Sequence, residues 1–195
     1  MNIRLDGLRN AFRNRLPHQM LPYAEIAGIY DRIMDHVDYS AWCDYIASIF
    51  RRYHHGVKTV LETACGTGSM AVLLHAMGYE VTCMDISPEM IGIASCKFNR
   101  AGIPVPAIAA DMRALPFHTR FDALICLYDS INYITKSADF RKAVAEASSV
   151  LETGGLFVFD VCTAWNSEMF FSNNSMVEVI GDIEYERICR YDSAG

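Results

Sequence analysis

The spacing of apolar residues changes near residue 57. Before it, Tyr30, Met34, Val37 and Trp42 stand among the apolar and aromatic positions without two-residue alternation, so residues 1 to 55 are predicted helical. Val57 to Thr63 is then a short β-branched run, a predicted strand, and Gly66 and Gly68 lead into the helical stretch SMAVLLHAM, which Gly78 stops as a left-handed cap. Val81 to Asp85 predicts a second strand. Ser87 as N-cap and Pro88 as first helical residue open a helix that runs to about Arg100, before Gly102. A strand is expected near Val105 to Ala109, and FDALICL (Phe121 to Leu127) is apolar almost throughout, as a strand covered on both faces should be. Ser137 to Glu152 is predicted helical with Phe140, Val144, Ala147 and Leu151 on one face, ended by Gly154 and Gly155, and LFVFDV (Leu156 to Val161) is a fifth strand. Strands and helices alternating at these lengths predict a doubly wound, mostly parallel α/β sheet with helices on both faces. Met176 to Ile180 and Ile183 to Tyr191, joined around Gly181 and Asp182, predict an antiparallel hairpin after it.

Composition fits such a core. The chain has 195 residues, 52% hydrophobic and 21% charged, enough to bury an interior, and its apolar runs stay far below the roughly 18–20 residues that cross a bilayer. A soluble protein is expected, and no membrane partner. The net charge of −6 argues against a grip on phosphate backbones, so no nucleic acid is expected as partner. Residues 1 to 60 run against that balance, with 8 basic and 6 acidic groups. There Leu5, Leu8, Phe12 and Leu16 recur at helical spacing beside Arg4, Arg9, Arg13 and Arg15. An organelle transit peptide or a membrane-surface helix would share that pattern; the reading adopted is a helix packed on its own domain or on a partner. Seven cysteines without a CxxC pair suit free thiols in a reducing cytoplasm, and no histidine spacing predicts a metal.

In a doubly wound sheet, ligands lie beyond the carboxyl ends of the strands. Four clusters fall there. In VLETACGTGSM (Val60 to Met70), Gly66 and Gly68 let the backbone approach a ligand, and Glu62 ends the strand. Asp85, 19 residues after Gly66, is placed to accept hydrogen bonds from both hydroxyls of an adenosine ribose. Asp111 and Met112 follow the third strand, placed for an adenine amino group and ring. LYDSINY (Leu127 to Tyr133) brings Tyr128, Asp129, Ser130, Asn132 and Tyr133 to the same rim, as substrate contacts or as structural caps. The glycines alone leave the cofactor open, because Gly66, Gly68 and Ala71 also satisfy the dinucleotide pattern GxGxxG/A.

The set of motifs narrows it. ETACGTG, TCMDISPEM, AADMRALPF and FDALICLYDSINYI, in this order and spacing, with VLETGGLFVFDV as fifth-strand segment, resemble the class I S-adenosylmethionine-dependent methyltransferases over about residues 23 to 162, nearest to those acting on small molecules. The resemblance implies a Rossmann-like methyltransferase fold with three parts: an N-terminal helical lid (1–55), an S-adenosylmethionine-binding core (56–162) and the start of an antiparallel substrate-covering insertion (163–195). It further implies that Gly66, Gly68 and the backbone around Ala64 line the methionine part of the cofactor, with Glu62 ordering that loop or its amino group and Leu127 near the same group. Asp85 would hold the ribose; Ile86, Met90, Asp111 and Met112 would surround the adenine; Tyr30 and Tyr39 would close over it. Ala64 departs from the family, which more often has glycine there. The implied reaction is in-line methyl transfer from S-adenosyl-L-methionine to an oxygen, nitrogen or carbon of a small molecule, with Asp129, Tyr128 or Tyr133 taking a proton where the acceptor must lose one. A noncatalytic cofactor-binding scaffold and a nicotinamide-dependent oxidoreductase are the competing readings. The family sheet normally has seven strands; the sequence after Val161 offers only the pair near 176 to 191, which resembles the start of that insertion and leaves the sixth and seventh strands without counterparts, so an exposed fifth strand, and hence a homo-oligomer, is expected.

Overall fold

A computed structural model describes residues 2–5, 26–171, 174–180 and 183–189. In chain order its elements are β1 (Asn2–Leu5), α1 (Tyr30–Ile33), α2 (Tyr39–Tyr53), β2 (Thr59–Thr63), α3 (Ser69–Ala76), β3 (Glu80–Asp85) and α4 (Pro88–Ala101). There follow β4 (Ala107–Ala109), β5 (Phe121–Cys126), α5 (Ser137–Ser149), β6 (Leu151–Phe159), α6 (Ala164–Phe171), β7 (Asn174–Ile180) and β8 (Ile183–Cys189). The chain divides into two compact units, residues 21–161 and residues 1–20 with 162–195.

The larger unit is a five-stranded, wholly parallel sheet in the order β4-β3-β2-β5-β6. Strand order reverses between β2 and β5, so the crevice between their carboxyl ends is the topological switch point of the sheet. The two-residue period of the strands sorts their side chains to two cores. Val60, Val81, Cys83, Ala123 and Ile125 pack with α2, α3 and α4, through Cys43, Ile46 and Phe50 of α2, Leu74 of α3 and Ala94 and Phe98 of α4. Leu61, Met84 and Leu124 face the other way, onto Ala147, Val150 and Leu151. On α2, Cys43, Ile46, Ala47 and Phe50 are buried at i, i+3, i+4 and i+7, the stripe of a helix lying on a sheet. The helix starts are capped as their residues demand: Asp38 accepts the Ala41 N–H (2.9 Å) and Ser87 the Met90 N–H (3.2 Å), with Gly102 left-handed at the end of α4. Asp122, the polar interruption in FDALICL, accepts the Lys58 and Thr59 N–H groups (2.9 Å each) and the Thr59 hydroxyl (3.0 Å), fastening β2 to β5 at their amino ends.

Two expectations are corrected in this unit. The helix before the fifth strand ends at Ser149, and Leu151 and Glu152 already belong to β6. Leu151 pairs with Phe121 and Leu156 with Ala123, so the intervening residues form a bulge, with Gly154 at φ +82°. The glycines therefore shape a strand and do not stop a helix. The buried face of α5 is Ala143 and Ala147, while Val144 is exposed.

The smaller unit holds the expected hairpin: β7 and β8 pair antiparallel from Asn174–Cys189 to Ile180–Ile183, with Tyr185 buried. It also holds a strand that the spacing assigned to a helix. Asn2–Leu5 is β1, antiparallel to β8, giving a three-stranded sheet β1-β8-β7. The remainder of the basic arm, Leu8, Phe12 and Leu16 with Arg9, Arg13 and Arg15, lies outside the described residues, as do Gly181, Asp182 and Tyr191.

Candidate active site

At the carboxyl edge of β2, β3, β4 and β5 the larger unit encloses a cavity of about 320 Å³. The loop leaving β2 forms its floor by an unusual backbone path. Ala64 (φ +55°), Gly66 (φ +54°) and Gly68 (φ +75°) all take left-handed conformations, which only glycine adopts without cost. The Cys65 N–H donates to the Met84 carbonyl (2.9 Å), pinning the loop to β3.

Asp85, the last residue of β3, takes the Gly66 N–H on one carboxylate oxygen and the Ser87 N–H on the other, each at 2.9 Å. Burial nevertheless outweighs these bonds and holds its carboxyl above the ordinary range. Glu62 is 5% exposed, and its nearest hydrogen-bond partner is the weakly donating Cys83 thiol at 3.7 Å. Burial pushes its pKa up to about 8, with the charge of Asp85 adding to the effect. Neither Glu62 nor Asp85 forms a salt bridge among the described residues, and the charge of Lys97 offsets only part of the rise at Glu62.

Asp111 differs. The Arg113 side chain grips both its oxygens (2.6–3.0 Å) and the Arg113 N–H adds a bond of 2.8 Å, holding its carboxyl below the ordinary range; Arg113 also reaches Asp139 at 3.3 Å. This edge of the cavity is therefore a carboxylate–guanidinium pair.

The helical segment before β2 forms the roof. Tyr30 stands over the glycine loop, so that a methyl group added at Gly66 would lie 3.6 Å from its ring. Its neighbour Asp31 accepts a short hydrogen bond from the Thr67 hydroxyl and pairs with Lys97 of α4 at 2.9 Å, while Lys97 also donates to the Ser69 hydroxyl at 2.9 Å. Burial raises the Asp31 carboxyl, but the bonds from Thr67, Lys97 and Ser69 together hold it below its usual range. Tyr39 packs on Tyr128 (centroids 5.5 Å apart), as does Trp42 (5.1 Å). Burial raises the phenols of Tyr30, Tyr39 and Tyr128 far above the ordinary range, so all three are neutral donors at physiological pH.

The cavity gathers Tyr30, Tyr39, Glu62, Ala64, Gly66, Asp85, Ile86, Met90, Asp111, Met112, Leu127, Tyr128 and Tyr133. Three expected residues stand apart from it, Asn132 among them. Gly68 packs under α4, where an added Cβ would be 2.4 Å from the Phe98 ring, and Asp129 turns toward Asp160, whose carboxylate accepts its N–H at 3.0 Å. Tyr128 (φ +60°) and Asp129 (φ +57°) are consecutive left-handed residues without glycine, each costing on the order of 1–3 kcal/mol unless the surroundings hold it. Residues that the sequence did not single out also line the cavity, among them Thr67, Ser69, Arg113 and Met84. Arg113 carried a readable signal, a cation two positions after an expected ligand carboxylate. Asp31 carried none, because its partners lie 36 to 66 residues away.

Residues 60–155 match the methyltransferase domain family. A provisionally named methyltransferase of Bacillus subtilis (strain 168) is 31% identical over 165 residues, covering 84% of this chain and 64% of its own length. A glycine/sarcosine N-methyltransferase of Parasynechococcus marenigrum (strain WH8102) is 34% identical over 128 residues, 64% of this chain and 45% of its own. The crystal structure of an S-adenosylmethionine-dependent methyltransferase from Clostridium acetobutylicum ATCC 824 superposes with a TM-score of 0.75 at 29% identity, over 88% of this chain and 70% of that one. The chain thus spans between about half and about two thirds of these relatives. Sheet order, glycine loop and sequence agree with one another: residues 60–155 carry a methyltransferase domain, and the chain is similar in sequence and fold to S-adenosylmethionine-dependent methyltransferases.

Proposed function

We propose that the cavity binds S-adenosyl-L-methionine and that the protein transfers its methyl group to a nucleophilic atom of a small molecule. The observation that carries this is electrostatic. The floor presents Glu62 and Asp85 to the cavity, and the Gly66 amide, which a dinucleotide site would offer to a pyrophosphate, is already bound to Asp85. Such a floor repels a pyrophosphate at Asp85 and suits a sulfonium bearing an ammonium group, whose positive charge favours the ionised form of Glu62. At about 320 Å³ the cavity also lies at the lower end of the range of small-molecule sites.

In this reading Ala64 and Gly66 lie along the methionine part, Glu62 and Leu127 near its amino group, and Asp85 under the ribose hydroxyls. Ile86, Met90 and Met112 enclose the adenine, with Asp111 at its edge. The bound cofactor supplies a methyl group that is electrophilic without further activation. The protein's part is to hold the acceptor within reach and to keep water out, which Tyr30 and Tyr39 do by closing the roof. Tyr128 and Tyr133 face the acceptor; with a phenol raised this far, Tyr128 orients an acceptor by hydrogen bonding, and Asp129, beside the cavity and outside its lining, takes a proton through water.

The test is calorimetric titration with S-adenosylhomocysteine and with reduced nicotinamide dinucleotide, followed by methyl-labelled cofactor against a panel of amines, thiols and phenols that includes glycine and sarcosine. Binding of the first ligand alone is expected, and stabilisation by the dinucleotide alone overturns the reading. Asp85→Ala should weaken S-adenosylhomocysteine by about 1.5–3 kcal/mol, roughly 10- to 150-fold. An unchanged affinity in the folded variant removes Asp85 from the ribose site.

A further inference from the structure

Asp160 directly follows β6, in a stretch whose sequence reads only as strand, and no role attaches to it so far. Its position is nonetheless specific. One carboxylate oxygen accepts the Asp129 N–H at 3.0 Å, closing the two carboxyl ends of β5 and β6 across the turn at 128–129. The other oxygen is buried with no hydrogen-bond partner among the described residues, and so is the Tyr128 hydroxyl. Native interiors leave few such atoms unmatched, and two of them at one corner of a cavity mark a place built for something more than packing.

We propose that Asp160 is the positioning residue of the acceptor corner, holding Tyr128 and Asp129 in their left-handed turn and thereby directing Tyr128 into the cavity. This rests on the reading of Tyr128 and Asp129 as acceptor-side groups. The turn needs an anchor because neither residue is glycine, and the Asp129 N–H bond is the contact that ties it to the sheet. The same contact affects proton transfer. Burial, then the Asp160 charge and a hydrogen bond between the two carboxyls, push the Asp129 carboxyl above the ordinary carboxylate range, which makes it a better acceptor for a proton. The titratable groups facing Tyr128 include Tyr30 from α1, Asp38, Tyr39 and Cys43 at α2, and Asp160, and none of these is a cation that would cancel the effect.

Two variants separate anchor from charge. Asp160→Asn keeps an oxygen for the Asp129 N–H and removes the charge; Asp160→Ala removes both. The readouts are the Asp129 carboxyl titration by carbon NMR, S-adenosylhomocysteine affinity, and the kinetics of whichever acceptor the panel returns. Asp129 should titrate above the ordinary carboxylate range in the parent protein and lower in both variants. Asp160→Ala should lose about tenfold in kcat/KM for the acceptor, roughly 1.4 kcal/mol, with S-adenosylhomocysteine affinity within about twofold of the parent. Asp160→Asn should recover most of that loss and move the pH–rate profile to lower pH. If Asp129 titrates identically in the parent and in Asp160→Asn, or if cofactor affinity falls as far as acceptor kinetics, the proposal is wrong. Should Asp160→Ala not fold, Asp160→Asn alone decides through the titration. A protein that binds no S-adenosylhomocysteine overturns the methyltransferase reading, while the Asp129 titration still decides the corner.

Discussion

Glu62 shows what one buried carboxyl does to the whole site. Its folded pKa of about 8 lies above the 4.5 of an exposed glutamate, so the folded state binds a proton that the unfolded chain releases between those values. The sign follows: the stabilisation is complete below pH 4.5 and is lost as pH rises through 8. The ligand-free protein should therefore lose stability across that window, by at most about 1.4 kcal/mol per pH unit, and Glu62→Gln should flatten the dependence. Melting temperatures from pH 5 to 8 check this, and parallel curves for both proteins would remove Glu62 as the cause. Ala64 offers a second test. At φ +55° its Cβ is strained where glycine is not, so Ala64→Gly should stabilise the fold by about 1 kcal/mol, read by urea unfolding. Glu62, Gly66, Asp85 and Asp111 were legible because each stands at or just past the carboxyl end of a strand, whereas Tyr30, Tyr39, Ile86, Met90 and Leu127 followed only from the family resemblance. Asp160 and Asp31 were not: both act through partners distant in sequence, and neither sits in a spacing that announces it. Asp129 was legible as a rim residue but not in its orientation, which the positive φ decides.

Among the elements, glycines that look alike in sequence do different work. Gly66 keeps the cavity floor open, whereas Gly68 lets the first turn of α3 press against α4. Gly68→Ala would place a methyl group 2.4 Å from the Cζ of Phe98, itself 2% exposed and hemmed by Ala94, at a φ of +75°. The expected result is a loss of about 1–3 kcal/mol in denaturant unfolding, with whatever folds still binding S-adenosylhomocysteine, since Gly68 does not line the cavity. A neutral substitution would show that α4 gives way there. Gly154 and Gly155 illustrate the opposite error. A glycine pair after a helical pattern reads as a C-cap, yet β6 needs extra residues to keep Leu156 in register with Ala123, and the glycines absorb them. Local pattern could not reveal this, because the bulge is set by the partner strand. The same holds for β1: four residues of mixed character become a strand only because β8 lies beside them.

The molecule as a whole has an asymmetric sheet. Its outer strands are β4, three residues long, and β6, nine residues long. Short edges are poor templates for another strand and long ones are good templates, so any edge pairing should run through β6. Among the described residues β6 pairs only with β5. The bulge further confines the regular ladder to Leu156–Phe159, whose last residue Phe159 is 39% exposed, with Val161 beyond it 51%. The net charge of −6 works against association, but at cellular salt its reach is only about 8 Å, too short to outweigh strand pairing at contact. We therefore expect the 195-residue chain to self-associate with rising concentration, and Phe159→Lys, which puts a charge on that edge, to suppress it. Light scattering over a concentration series measures both. A parent protein that remains monomeric throughout, or a variant that associates equally, would show that this edge of β6 is not the contact.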